Sequence, residues 1–251
     1  MKGLTMNLSA HLASYNEKIS FLEDLLNGMV RTKYVNTVLV TGDPGIGKTF
    51  TIDKNLQEHS EDSDNPIRYR RVSGKITPLA FYQTLVENSA FDSVLFFDDA
   101  DTILMETVSL NLLKEASEKR SQRTISYNSS RSTNAPITVF DGKIVIATNK
   151  KISQNPHFEA VTDRFHVFDM NVTYLEKLAK IHDIAEKFAT PMVSKEDNAE
   201  IIKFLADKAK SINTDKITIR TFVKLQELKV LMPMKWKRFA EISGTYLEPS
   251  K

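Results

Sequence analysis

The residues with the clearest chemistry form one octapeptide, Gly42-Asp43-Pro44-Gly45-Ile46-Gly47-Lys48-Thr49, which satisfies G-x-x-x-x-G-K-[ST] at every fixed position. That spacing suits a polyphosphate. Gly42, Gly45 and Gly47 let the backbone curl so that several N–H groups converge on phosphate oxygens, and a helix N-terminus adds its positive dipole end. Lys48 is placed to reach the β- and γ-phosphates of ATP and Thr49 to offer a hydroxyl to Mg2+, with Phe50 ending the binding segment. The competing reading is a glycine-rich turn with a chance Lys-Thr. Context decides against it, because the apolar run VNTVLV precedes the motif and a helical pattern follows.

A second constellation is VLFFDDAD. Its apolar run, Val94 to Phe97, reads as a buried strand ending at Asp98, and ligands of open parallel sheets sit at the carboxyl ends of strands. Asp98 is then the acid that holds magnesium, directly or through water. Asp99 follows as a carboxylate able to orient and activate a water, or else as a helix cap or solvated acid. Asp101 reads as a capping or solvated acid.

The elements that must position these groups alternate in the manner of a β-α protein. Strands are expected at 35–41, 67–72, 93–97, 143–148 and 166–170, separated by helical stretches. One of these opens with Thr77 as cap and Pro78 at its first position. Ile19, Leu22, Leu25, Leu26 and Met29 predict an amphipathic helix before the first strand. This pattern implies a parallel five-stranded sheet covered by helices, an α/β core over 1–170. From Asn171 strand signals stop. Thr173 with Glu176 and Ser194 with Asp197 open two helices, and a third spans about Thr218 to Met232. A helical lid domain is therefore expected over 171–232, with a basic-aromatic tail over 233–251 in which MKWKRFAEI can form a final helix. The polar stretch from Ser121 to Pro136 reads as an exposed loop or hairpin.

Composition narrows the classes. With 34 Lys and Arg against 32 acids the net charge is +2, so the overall field does not draw in nucleic acid, and any basic surface must be local. The chain has no cysteine and its five histidines lack paired spacing, which removes disulfides and thiolate sites and leaves a hard cation as the metal. No apolar run approaches the ~20 residues that span a bilayer, and the N-terminal stretch lacks a signal-peptide pattern, so a cytoplasmic protein without a membrane partner is expected.

Taken in order, TGDPGIGKT, VLFFDDAD, IVIATN, TDRF and TIRTF resemble the AAA+ ATPases, a family of P-loop NTPases, and they lie within residues 34 to 225. The style is most similar to the small AAA+ ATPases of tailed phages. The resemblance implies ATP hydrolysis and a nucleotide-dependent ring or helical homo-oligomer. It implies that Asn149, at the end of IVIATN, senses the γ-phosphate or the attacking water, where spacing alone reads a turn-forming Asn. Arg164 becomes a finger reaching a neighbour's site, against an ordinary ion pair, and Arg220 a lid-helix arginine turned to the nucleotide, against a solvated helix charge. Asp99 stands where the family commonly has Glu.

The client has two readings. A DNA-handling motor or loader would use the turn Ser73 to Ile76, with Lys75, and contacts from Arg68, Arg70, Arg71, Arg123 and Arg131. A protein remodeller would want an aromatic where Ile76 stands. A small-molecule P-loop kinase also fits the octapeptide, but the lid helices and the Asn149, Arg164, Arg220 series speak against it.

Overall fold

The computed structural model describes residues 2–119, 122–127, 137–149, 159, 161–187, 193–208 and 216–243. The chain divides into two compact units, one of residues 20–42 and 48–170, the other of residues 1–19, 43–47 and 171–251. The turn 43–47 is thus grouped with the C-terminal helices.

The first unit is built on β1 (Thr37–Thr41), β2 (Arg68–Ser73), β3 (Ser93–Asp98), β6 (Lys143–Ala147) and β7 (His166–Asp169), all parallel in the order β2-β3-β6-β1-β7. The unbroken apolar runs of the central strands follow from burial on both faces. Leu39, Leu95, Phe97, Ile144 and Ile146 point into one apolar layer with Phe81, Leu85 and Leu113. Their alternates Val38, Val40, Val94, Phe96, Val145 and Ala147 point into the other, with Leu22, Leu26, Met29, Ile52 and Leu56. Full burial of one such side chain stabilises the fold by about 1.5–3 kcal/mol. The helices that supply the two layers are α1 (Lys2–Arg31), α2 (Lys48–Ser60), α3 (Pro78–Glu87), α4 (Asp101–Met105) and α5 (Thr107–Ala116). As expected, Thr77 caps α3, its side chain accepting from Ala80 N–H, with Pro78 in the first turn.

One difference from the sequence reading concerns the N-terminal segment. Helix α1 is 30 residues long and reaches back to Lys2, well beyond the periodic stretch from Ile19. Of the two readings of the polar stretch, the hairpin fits: β4 (Thr124–Ile125), within it, pairs antiparallel with β5 (Thr138–Val139), just beyond it, while 128–136, including Arg131, lie outside the described residues. Arg123, taken as a surface phosphate contact, is 5% exposed. Its guanidinium donates to Ala116 O (2.8 Å) and Gly142 O (3.1 Å) and lies over the Phe140 ring. Buried charge without such acceptors is costly, so this arginine ties the end of α5 to the turn just ahead of β6 and is a structural group.

The second unit packs α6 (Tyr174–Lys187), α7 (Lys195–Lys208), α8 (Ile219–Leu231) and α9 (Trp236–Ile242) around Ile181, Ile201, Phe204, Leu205, Phe222 and Leu225. Both expected capping boxes form. Thr173 N–H donates to Glu176 (2.7 Å) and Glu176 N–H to Thr173 Oγ1 (3.3 Å), and Ser194 and Asp197 exchange the equivalent pair at 3.2 and 3.1 Å. Within the basic-aromatic segment from 233, MKWKRFAEI holds the final helix that is one reading of it, and contributes Trp236 and Ala240 to this core, with Trp236 edge-on to Phe204 at 5.0 Å. Among the described residues no helix is long and apolar enough to cross a membrane.

Candidate functional site

In the sheet unit the chemistry gathers at the carboxyl ends of β1, β3 and β6. Gly42 follows β1 with φ 139°, a conformation that favours glycine. Lys48, at the start of α2, is buried, and its ammonium donates to Gly42 O (2.7 Å) and to Asn149 Oδ1 (2.9 Å). Thr49 Oγ1 donates to Asp98 Oδ1 at 2.8 Å. Phe50 is 72% exposed. The alternation along β3 explains the Asp98 contact: Asp98 continues the face of Val94 and Phe96, the layer against which α2 packs.

Asp98 has a second partner that the sequence did not announce. Arg71 of β2 reaches its Oδ2 at 2.5 Å and Asp53 Oδ2 at 3.1 Å, while the Tyr69 hydroxyl bonds the other Asp53 oxygen. Burial first, and then the Asp53 carboxylate, push the Tyr69 phenol above its ordinary range, so it serves as a donor. Arg71 therefore fixes an acid instead of facing a nucleic acid. Its strand neighbours Arg68 and Arg70 are likewise paired, with Asp92 at 2.6 Å and Glu87 at 2.7 Å. A polar residue beside Asp98 in parallel register was the available signal: Ser73 pairs with Asp98, placing Arg71 two residues back on the same face.

Asp99 is the one non-glycine residue with positive φ (51°) among the described residues. Its N–H donates to Ala147 O (3.2 Å), and its Oδ1 accepts from Asn149 Nδ2 (2.9 Å). Asn149 thus bonds Lys48 through its oxygen and Asp99 through its nitrogen. Asp101 accepts from Thr148 Oγ1 at 2.7 Å and serves to hold the end of β6. Arg164 is not brought to this cluster. Its guanidinium meets Glu118 at 3.4 Å, and its carbonyl accepts from Thr37, the first residue of β1, whereas Gly42 follows the last.

In the helical unit, Asp43, Pro44, Gly45, Ile46 and Gly47 form the turn, with φ 72° at Gly45 and 97° at Gly47. A Cβ on Gly45 would lie 2.9 Å from Thr218 Cβ, and one on Gly47 2.8 Å from the Tyr15 hydroxyl. Three contacts hold the turn: Tyr15 OH donates to Ile46 O (2.8 Å), Ile219 N–H to Gly45 O (3.2 Å), and Lys177 approaches the Asp43 carboxylate (3.5 Å). Arg220 is exposed in the first turn of α8, next to Ile219. Tyr15 and Lys177 were absent from the sequence reading, since neither belongs to a motif.

The donors present suit Mg2+. Thr49 and Asp98 bring two hard oxygens within 2.8 Å of each other, and magnesium in phosphate sites takes one or two protein oxygens, the rest coming from phosphate and water. No group of three or more His, Cys, Asp or Glu side chains fit for a metal occurs among the described residues.

No family model matches the chain. It is 25% identical over 242 residues to an uncharacterized 36.7 kDa protein in the nrdC-mobD intergenic region of Enterobacteria phage T4, covering 90% of this chain and 73% of that protein. It superposes on AMPPCP-bound DnaA from Aquifex aeolicus with a TM-score of 0.52 at 12% identity, over 88% of this chain. The chain spans 63% of that DnaA chain. The likeness establishes the fold, a core of five parallel strands covered by helices and followed by further helices.

Proposed function

We propose that the protein is an AAA+ ATPase that binds Mg-ATP on Gly42–Thr49 and couples its hydrolysis to work on a macromolecule. The observation that carries this reading is the Asn149 amide, hydrogen-bonded on one side to Lys48 and on the other to Asp99. A bound AMPPCP in the DnaA of like fold supports the choice of nucleotide.

In this reading the loop N–H groups and the Lys48 ammonium bind the phosphates, and Thr49 and Asp98 hold magnesium. The ion, when bound, neutralises charge on the β- and γ-phosphate oxygens. Asp99, with one oxygen fixed by Asn149, orients the attacking water and takes its proton. Asn149 keeps Lys48 and Asp99 in one geometry, so the group that binds the γ-phosphate and the group that aims the water cannot drift apart. Arg220 extends from the first turn of α8 toward the nucleotide. Arg164 acts on the site of a neighbouring copy, which requires a head-to-tail ring or helix.

Asp99→Asn tests the chemistry. Mg-ATP binding should stay within a few-fold of the parent while phosphate release falls by about 10²-fold, as expected for removal of a general base. Normal turnover would show that Asp99 is only a turn residue.

For the client, Lys75 is the exposed cation of the Ser73–Ile76 turn, where Gly74 takes φ 80°. Ile76 is half-buried and its N–H lies 3.4 Å from Thr102 Oγ1, so a solvated ammonium and not an apolar grip is presented, which favours a nucleic-acid phosphate backbone. A gain in ATPase rate with single-stranded DNA that fades with added salt is the expected result. Stimulation by an unfolded protein in its place would reassign the client.

A further inference from the structure

The strongest uncommitted feature is the set of contacts on the outside of the phosphate-loop turn. Two successive carbonyls of that turn are occupied: Gly45 O by the N–H of Ile219 and Ile46 O by the hydroxyl of Tyr15. A trans peptide is planar, with its C=O and N–H pointing in opposite directions. Fixing the Gly45 carbonyl therefore aims the N–H of Ile46 the other way, and fixing the Ile46 carbonyl does the same for the N–H of Gly47. Each of these N–H groups is turned away from its own tether. In a loop that works by converging amides, that orientation is what the phosphates require.

We propose that Tyr15 is a positioning residue of the nucleotide site, acting with the α8 N-terminus to orient the Ile46 and Gly47 amides toward phosphate. The inference rests on the assignment of Gly42–Thr49 as the nucleotide loop, and it adds the first helix to the groups on which that loop depends.

The surroundings of Tyr15 fit the role. The residue is 2% exposed and Ile46 is 1% exposed, so their hydrogen bond does not compete with solvent. Burial raises the phenol above its ordinary range, which keeps the proton it donates. The helix carrying Tyr15 is anchored on either side of it, where Ser14 and Lys18 bond Glu176 at 2.6 and 2.8 Å, and Lys180 lies over the Tyr15 ring. The hydroxyl also fills the space a Cβ on Gly47 would need, so Tyr15 and the glycine at 47 are fitted to each other. On the other tether, Thr218 is extended (φ -134°, ψ 165°), and Ile219 N–H is a first-turn donor that the helix itself does not use.

Tyr15→Phe keeps the ring and removes the donor. The affinity for a fluorescent ATP analogue should fall about 5- to 10-fold, the loss of kcat/KM should fall on KM and not on kcat, and the melting temperature without nucleotide should move by only a few degrees. Hydrogen exchange should show weaker nucleotide-induced protection of the 46 and 47 amides. Parent and variant binding the analogue equally would overturn the proposal. A parent that binds no ATP analogue would instead overturn the nucleotide-loop reading itself. If Tyr15→Phe does not fold, Ile219→Pro decides the matter: proline is tolerated at a first helical position after an extended residue, and it deletes the N–H on Gly45 O. Its affinity should fall severalfold below that of Ile219→Ala, which shortens the side chain but keeps the N–H. Equal affinities of those two variants would overturn the proposal.

Discussion

The octapeptide Gly42–Thr49 is shared between the two compact units, and each supports it by different means. In the sheet unit the partners are charged or carry strong side-chain dipoles: Lys48, Asp98, Asp99, Arg71 and Asn149, bonded at 2.5 to 2.9 Å. In the helical unit the turn 43–47 is held mainly by neutral contacts to its backbone, from Tyr15 and Ile219, and by close packing of Thr218 on Gly45. Loss of a charged partner should therefore remove binding or chemistry outright. Loss of a neutral one should weaken binding by the cost of a misaimed amide.

The largest effect is expected from Arg164, a residue of the sheet unit that stands apart from its charged cluster. If it serves a neighbour's site, Arg164→Ala should bind ATP like the parent and hydrolyse it about 10³-fold more slowly, with activity per chain in the parent rising with concentration. Removing it should cost little stability, since its partner Glu118 is 35% exposed. Mixing this variant with Lys48→Ala should restore part of the rate, because the intact Arg164 of one chain can serve the intact loop of the other. Rates independent of concentration, with no rescue, would make Arg164 a simple ion-pair residue.

Lys48→Ala comes next. It removes two charge-assisted hydrogen bonds within the protein and the ammonium offered to phosphate, and should weaken ATP binding by about 10²-fold in a direct titration. Circular dichroism should show the fold retained. Unchanged affinity would leave the comparison between the two units without its charged side.

The smallest effect belongs to the helical unit. Burial alone pushes the Glu176 carboxyl up, but the Lys18 ammonium, the Ser14 hydroxyl and the Thr173 N–H and hydroxyl outweigh it and hold the group down at about 2. A depressed carboxylate contributes stability that is present above its ordinary range, near 4.5, and is lost as the pH falls toward 2. Glu176→Gln should cost about 1–3 kcal/mol in denaturant melts at pH 7 and flatten that acid-side loss. An unaltered acid profile would mean that another carboxylate governs it.

What was legible in the sequence follows the same division. Strands buried on both faces write themselves as apolar runs, and caps use a small set of residues, so β1, β3, β6 and the caps at Thr77, Thr173 and Ser194 could be read directly. That Lys48, Thr49 and Asp98 belong to one cluster was legible, because the octapeptide and the apolar run ending at Asp98 place them at the carboxyl ends of neighbouring strands. Tyr15 was not: a hydroxyl that bonds a main-chain carbonyl 31 residues away leaves no pattern in the chain. Arg123 misled for the opposite reason. Set beside a Ser-, Thr- and Asn-rich stretch it looks solvated, and only the two carbonyls that converge on it explain its burial.

The backbone at Asp99 bears on the choice of acid at that position. At φ 51° it lies in the left-handed region, where most side chains are disfavoured and Asp and Asn are the better tolerated of the non-glycine residues. A glutamate there would gain reach and lose conformational ease, so the shorter acid suits the turn that presents it. Glycine would suit that turn better still, and Asp99→Gly should relax the chain while abolishing hydrolysis. The position would then be one where selection for activity opposes selection for stability, and a screen for heat resistance alone would drift away from the working enzyme.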